Sequence, residues 1–123
     1  MDNKEFKRKL ISRTFILARR IIALVDKFPN KRSAWVIADQ LLRAGTSIGA
    51  NIIEAQAASS KRDFVNFLNH SLKSANETKF WLALSKDLDK GLISEINEVL
   101  KETDEIAKIL GSTVVSLRGR KKL

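Results

Sequence analysis

Residues 10–29 read LISRTFILARRIIALVDKFP. Leu10, Thr14, Leu17, Ile21, Leu24 and Phe28 recur at steps of three and four, the spacing that lays side chains along one face of an α-helix. Ile11, Phe15, Ala18, Ile22 and Val25 repeat the pattern beside them, so the apolar face is two stripes wide. Pro29 stops the run, because it has no backbone N–H to donate and it crowds the residue before it. The spacing predicts a first helix over residues 4–28. A helix packed on one neighbour needs a single stripe. The second stripe implies burial on further sides, inside a bundle and against another subunit.

Three more segments keep this rhythm. From Ser33 to Ala58, the residues Ala34, Ala38, Leu41, Gly45, Ile48, Ile52 and Ala55 again alternate steps of three and four. Gly45 and Gly49 within a helix each cost about 1 kcal/mol relative to Ala, which close backbone packing offsets. Ser60-Lys61-Arg62-Asp63 has the form of a capping box, with Asp in place of Glu, and opens a third helix over residues 61–90. Phe64, Phe67, Leu68, Ala75, Trp81, Leu82 and Leu88 form its apolar face, and Gly91 suits a left-handed C-terminal position. Ser94 is a suitable N-cap for a fourth helix over residues 94–117, carried by Ile96, Val99, Thr103, Ile106, Leu110, Thr113, Val114 and Leu117. Residues 118–123 are left as a basic tail. No strand-like alternation competes, so the expected fold is all-α: one antiparallel up-down-up-down four-helix bundle over residues 1–117, assembled into a homo-oligomer.

A chain of 123 residues is long enough for one domain with a real core, without disulfides or metals. Having no Cys excludes thiol catalysis, zinc held by Cys and disulfide scaffolds. The N-terminus Met1-Asp2-Asn3-Lys4-Glu5 is charged and no window approaches ~18 apolar residues, so a soluble, cytoplasmic protein with no membrane association is expected. The net charge of +9 is unevenly spread. Residues 1–45 carry eleven Lys/Arg against four Asp/Glu, and residues 46–90 six against five. Residues 91–117 carry two against five, and residues 118–123 four against none. The positive field therefore comes from the first third and the tail, and an anionic partner such as nucleic acid is expected.

The stretch Ser47-Ile48-Gly49-Ala50-Asn51-Ile52-Ile53-Glu54-Ala55, followed by Ser60, Arg62, Asp63, Phe64, Phe67, Leu68 and Ala75 to Glu77, resembles a bacterial family of small four-helix-bundle proteins. Its members are encoded in intervening sequences of 23S ribosomal RNA genes and are often labelled S23 ribosomal proteins. The pattern is also similar to the accessory variability determinant of diversity-generating retroelements, a basic bundle that forms a pentameric barrel and works with a reverse transcriptase and nucleic acid. The resemblance covers nearly the whole chain and implies a homopentamer and a nucleic-acid partner, with a reverse transcriptase as a protein partner. Glu54-Ala55 stands where the family usually shows Glu-Gly, and Ser74-Ala75-Asn76-Glu77 replaces a Gly-Ser-x-x-Glu pattern.

Ser47, Asn51 and Glu54 share one helix edge among Ala, Gly and Ile, and with Glu77 they are candidates for a polar cluster. Di-metal sites in bundles use Glu-x-x-His pairs. Ala57 and Phe80 stand three residues after Glu54 and Glu77, so hydrogen bonding that fixes helix register or subunit geometry is expected instead of metal or acid/base chemistry. His70 is the single histidine and a structural role is expected for it, since no His-based triad or multi-histidine site can be assembled within the chain. Trp35 and Trp81 read as core or interface anchors. Neither a cofactor nor a metal is expected, and no nucleophile, base and orienting group can be named together for an enzyme.

The basic residues carry the functional reading. At ~100° per residue, Lys9, Arg13, Arg20 and Lys27 fall within about 40° of each other, forming a cationic ridge on the first helix. Lys31 and Arg32 lie in the first loop, and Arg118, Arg120, Lys121 and Lys122 in the tail. Their expected role is electrostatic, weakly sequence-specific contact with RNA or DNA by a non-enzymatic bundle. A solvated surface that only keeps the protein soluble is the plainer reading of the same charges. A protein-interaction scaffold, such as an accessory subunit of a reverse transcriptase, is the alternative.

Overall fold

The structure, a computed structural model, describes residues 3–122, with side chains as far as Gly119. Four helices, α1 (Asn3–Val25), α2 (Arg32–Ala55), α3 (Lys61–Ser85) and α4 (Ile93–Lys122), account for nearly all of them, with a 3₁₀ turn at Lys90–Leu92 leading into α4. There is no strand among the described residues. Neighbours in sequence pack side by side and α4 closes back onto α1, so the order around the axis is α1, α2, α3, α4, as expected of an up-down-up-down bundle. The core consists of the first stripe of α1 (Leu17, Ile21, Leu24) meeting Leu41, Ile48 and Ile52 of α2, Leu82 of α3, and Ile96, Ile106 and Leu110 of α4.

Small residues set how closely the helices approach. A Cβ built on Gly45 would lie 2.6 Å from Ile21 Cδ1, and one on Gly49 would lie 2.8 Å from Thr14 Oγ1 and 3.2 Å from Thr14 Cβ. The two glycines therefore let α2 seat against α1, which offsets their low helix propensity. On the other side of α2, the buried Ser71 Oγ donates to the Ile48 carbonyl at 2.7 Å, joining α3 to α2. Thr14, Thr78, Ser85 and Thr103 are also buried, and each hydroxyl donates to a carbonyl of its own helix. Among the described residues, every buried side-chain polar atom has a partner, as a low-dielectric interior requires.

The helix ends differ from the periodicity in a consistent way. The expected ends at Phe28, Ala58 and Lys90 overshoot the observed Val25, Ala55 and Ser85. At each C-terminus the chain tightens into i→i−3 bonds, such as Phe28 N–H to the Val25 carbonyl, Ala58 N–H to Ala55 and Leu88 N–H to Ser85. These turns satisfy carbonyls that a helix end leaves open, without a left-handed residue, and no described residue has a positive φ. Gly91 is accordingly not a left-handed cap. Its N–H is taken by Asp89 Oδ1 at 2.8 Å, so Asp89, not Ser94, starts the turn into α4. Ser60 caps α3 as expected, accepting from Asp63 N–H at 3.0 Å, while Asp63 Oδ2 accepts from Ser59 N–H at 3.4 Å. α4 does not stop at Leu117. No proline follows, Arg and Lys are good helix formers, and the helix runs on to Lys122.

Candidate nucleic-acid interface

Lys9, Arg13 and Arg20 share one edge of α1, with Lys27 just beyond its end, and at Arg13 and Lys27 that edge meets the acids of α4. Arg13 makes a two-pronged contact with Glu102, Nε to Oε2 at 3.0 Å and a terminal guanidinium nitrogen to Oε1 at 2.7 Å, and reaches Glu105 at 3.2 Å. The hydrogen bond to Glu102 raises the Arg13 pKa above its ordinary value, against an opposing effect of partial burial. Lys27 Nζ lies 2.8 Å from Glu95. Lys9 and Arg8 both lie near Glu5, at 3.7 and 3.5 Å. Arg20 is half-buried and makes no ion pair among the described residues. The expected ridge is thus in good part a seam that ties α1 to α4. The sequence carried the signal: Arg13, Arg20 and Lys27 step by seven, and so do Glu95 and Glu102.

Basic residues outnumber acidic ones most strongly at one end of the bundle. Asn3 of α1, Gln56 after α2, Phe64 of α3 and Leu117 of α4 line one cleft, so the start of α1, the α2–α3 loop and the last turns of α4 converge there. At this end stand Lys4, Lys7, Arg8, Lys9, Lys61, Arg62 and Arg118 against Glu5, Glu54 and Asp63. At the other end Lys27, Lys31, Arg32, Lys86 and Lys90 meet Asp26, Asp87, Asp89 and Glu95. Lys61, Arg62 and Arg118 are exposed and make no ion pair among the described residues, and the same holds for Lys31 and Arg32 in the α1–α2 loop. Lys7 holds its ammonium 4.9 Å from the centre of the Phe64 ring. The side chains of Arg120, Lys121 and Lys122, also expected to bind, lie outside the described residues. Sequence reasoning missed Lys61 and Arg62, whose importance depends on which helix ends meet.

The polar edge of α2 does not form a cluster. Ser47 Oγ donates to the Arg43 carbonyl at 2.7 Å and Asn51 Nδ2 to the Ser47 carbonyl at 2.9 Å, both within their own helix, and Glu54 is exposed. Glu77 turns elsewhere, accepting from Trp81 Nε1 at 2.9 Å and from Arg43. The Trp81 hydrogen bond, with Arg43 behind it, lowers the Glu77 pKa below its ordinary value. His70 is exposed on α3. Among the described residues, no three His, Cys, Asp or Glu side chains gather where a metal ion would sit.

The family profile described as 23S rRNA-intervening sequence protein matches residues 7–112. The chain belongs to the 23S rRNA-intervening sequence protein family. A crystal structure of a protein with unknown function from the S23 ribosomal protein family of Bacteroides thetaiotaomicron is similar, with a TM-score of 0.79 and 37% identity over 88% of this chain and 96% of that one. No curated protein matches the chain.

In this chain the second stripe of α1 is divided: Val25 is buried and Ile11 packs against the core, while Phe15 and Ile22 face outward. Phe15 is 65% exposed, Ile22 46%, and Ile53 of α2 51%. Ile11, Phe15, Ala18, Ala50 and Ile53 line a shallow groove between α1 and α2, floored at Gly49. Trp35 is exposed as well and donates from Nε1 to Asn30 Oδ1 at 3.1 Å, bracing the α1–α2 loop and not filling the core. Phe80 and Leu84 form a second exposed apolar patch on α3. Trp81 is half-buried beside it, with its ring edge-on to Phe80 at 5.0 Å. No helix among the described residues is long and apolar enough to cross a membrane.

Proposed function

We propose that this member of the family is a non-enzymatic homo-oligomer that binds nucleic acid, RNA in preference to DNA, through the basic end of its bundle. The observation that carries the reading is the set of exposed Lys61, Arg62 and Arg118, which make no ion pair among the described residues and lie where three chain segments converge, in contrast to Arg13 and Lys27, which the acids of α4 neutralise. Cations left free of carboxylates can release counterions from phosphates, and this is the main source of weakly specific affinity. The family description, which refers to an intervening sequence of 23S rRNA, supports RNA.

Self-association is supported by the exposed groove between α1 and α2. Phe15 and Ile53 line this groove and leave apolar surface in water that a second copy would cover. Phe80 and Leu84 lie on a different helix, so one patch meeting the other makes a head-to-tail contact, the kind that closes into rings such as the pentamer implied by the resemblance. Crosslinking followed by sequencing of the bound nucleic acid tests the partner class and its identity together. Recovery of defined RNA is expected, and recovery at the level of an inert protein would defeat the proposal. The patch at Phe80 and Leu84 also favours a second reading, a scaffold for a protein such as a reverse transcriptase. A partner that stays bound after nuclease treatment would favour that reading over the first.

A further inference from the structure

The basic end of the bundle contains a cleft of about 430 Å³ that neither the core nor the ion pairs fill. Its volume is in the range of small organic ligand sites. Its floor is apolar, with Phe6, Leu10, Ile52, Phe64 and Leu110. Its rim is polar but uncharged on the α4 side, with Ser112 and Ser116 exposed. Gln56 spends its amide N–H on the Ile52 carbonyl at 2.8 Å, which leaves its own carbonyl oxygen free to accept. A smaller cleft of about 210 Å³ adjoins it, and the two share Leu117. The smaller one is flanked by the exposed guanidinium groups of Arg62 and Arg118.

This juxtaposition is that of a flat heterocycle and its phosphate. We propose that the large cleft takes one unstacked nucleobase of single-stranded RNA against Phe64, in place of the Lys7 ammonium that lies 4.9 Å from the centre of that ring, and that the adjoining phosphate sits between Arg62 and Arg118. Aromatic side chains hold unstacked bases whatever their identity, while hydroxyls and amides at the slot's edge meet the base edge. The planar fork of a guanidinium matches the oxygens of a phosphate. A duplex, with its bases stacked, offers the two arginines its backbone but leaves the slot empty. The inference rests on the nucleic-acid reading above and adds to it a preference for single strands and the residues that produce it.

The experiment uses a single-stranded oligoribonucleotide carrying 2-aminopurine and a duplex of the same length, titrated into the full-length protein. The expected result is a change in 2-aminopurine emission on binding and tighter binding of the single strand, by about five-fold or more given the worth of one stacked base. Ser116→Trp, which fills the slot from an exposed position, removes the emission change and the preference while duplex binding persists. Phe64→Leu keeps an apolar side chain at that site and weakens both. If the protein binds RNA but shows no strand preference and no emission change, the slot is wrong and the broader reading survives. If it binds neither nucleic acid, the broader reading falls and takes the slot with it.

Discussion

Substituting Gly49→Ala and Gly111→Ala separately makes the same chemical change in two helix interiors, and opposite outcomes are expected. In a helix interior Ala is favoured over Gly by about 1 kcal/mol. At Gly111 a Cβ meets nothing within 4 Å, so the variant should gain most of that amount. At Gly49 the Cβ meets Thr14 Oγ1 at 2.8 Å and Thr14 Cβ at 3.2 Å. Thr14 has little room to yield, because it is 1% exposed and its hydroxyl is already bonded to the Ile11 carbonyl at 2.8 Å. Overfilling a packed contact of this kind costs about 1–3 kcal/mol. Propensity cancels between the two variants, so the gap between them measures the overfilling alone, about 2 kcal/mol. For a chain of this size that corresponds to a difference in Tm of about 6–10 °C. Calorimetry or thermal circular dichroism at one protein concentration gives the number. If Gly49→Ala were as stable as Gly111→Ala, α1 and α2 would not approach as closely as described, and the glycines would need another explanation.

Three further outcomes are expected. Arg13→Leu should lower stability by about 1 kcal/mol in urea denaturation, the upper end for a two-pronged and only partly exposed pair, while RNA affinity changes by less than about two-fold. A large loss of affinity with unchanged stability would restore the ridge as a binding surface. Glu77 has a folded-state pKa below its ordinary 4.5, so its contribution to stability is complete above that value and is lost as pH falls through the lowered one. Melting temperatures of Glu77→Gln should therefore fall less steeply below pH 4.5 than those of the parent, and parallel curves would count against the Trp81 and Arg43 contacts. Charges placed in the outer groove by Phe15→Glu with Ile53→Glu should give a folded monomer in light scattering, where the unsubstituted protein should give an oligomer.

The bundle itself was legible because each helix carries its own 3.6-residue rhythm and each gap its own breaker or cap. Pro29, the Ser60–Asp63 capping box and the two packing glycines of α2 all act locally, and local chemistry can be read from one strand of text. Helix C-termini were harder, since the tightened turns after Val25, Ala55 and Ser85 use residues that fit the helical rhythm equally well. The surface was harder again. Whether Arg13 faces water or Glu102 depends on a helix eighty-nine residues away, and Lys61, Arg62 and Arg118 become one patch only when the start of α3 meets the last turns of α4. The polar edge of Ser47, Asn51 and Glu54 misled for a related reason. Ser and Asn side chains can satisfy themselves on the preceding turn, so a polar edge need not have a tertiary partner.

The claim that one end of the bundle holds RNA is tested most directly by fluorescence anisotropy of a labelled single-stranded RNA across 50 to 200 mM salt, about the range where counterion release dominates. Two double reversals of identical net charge are compared with the parent: Arg62→Glu with Arg118→Glu at the basic end, and Lys86→Glu with Lys90→Glu at the opposite end. The parent should bind with an affinity that falls steeply with salt. The first pair should lose about tenfold or more in affinity and make the salt slope shallower by about 0.7 for each phosphate contact removed, while the second stays close to the parent. Equal losses in both variants, which would report only net charge, or no loss in either, would contradict the account.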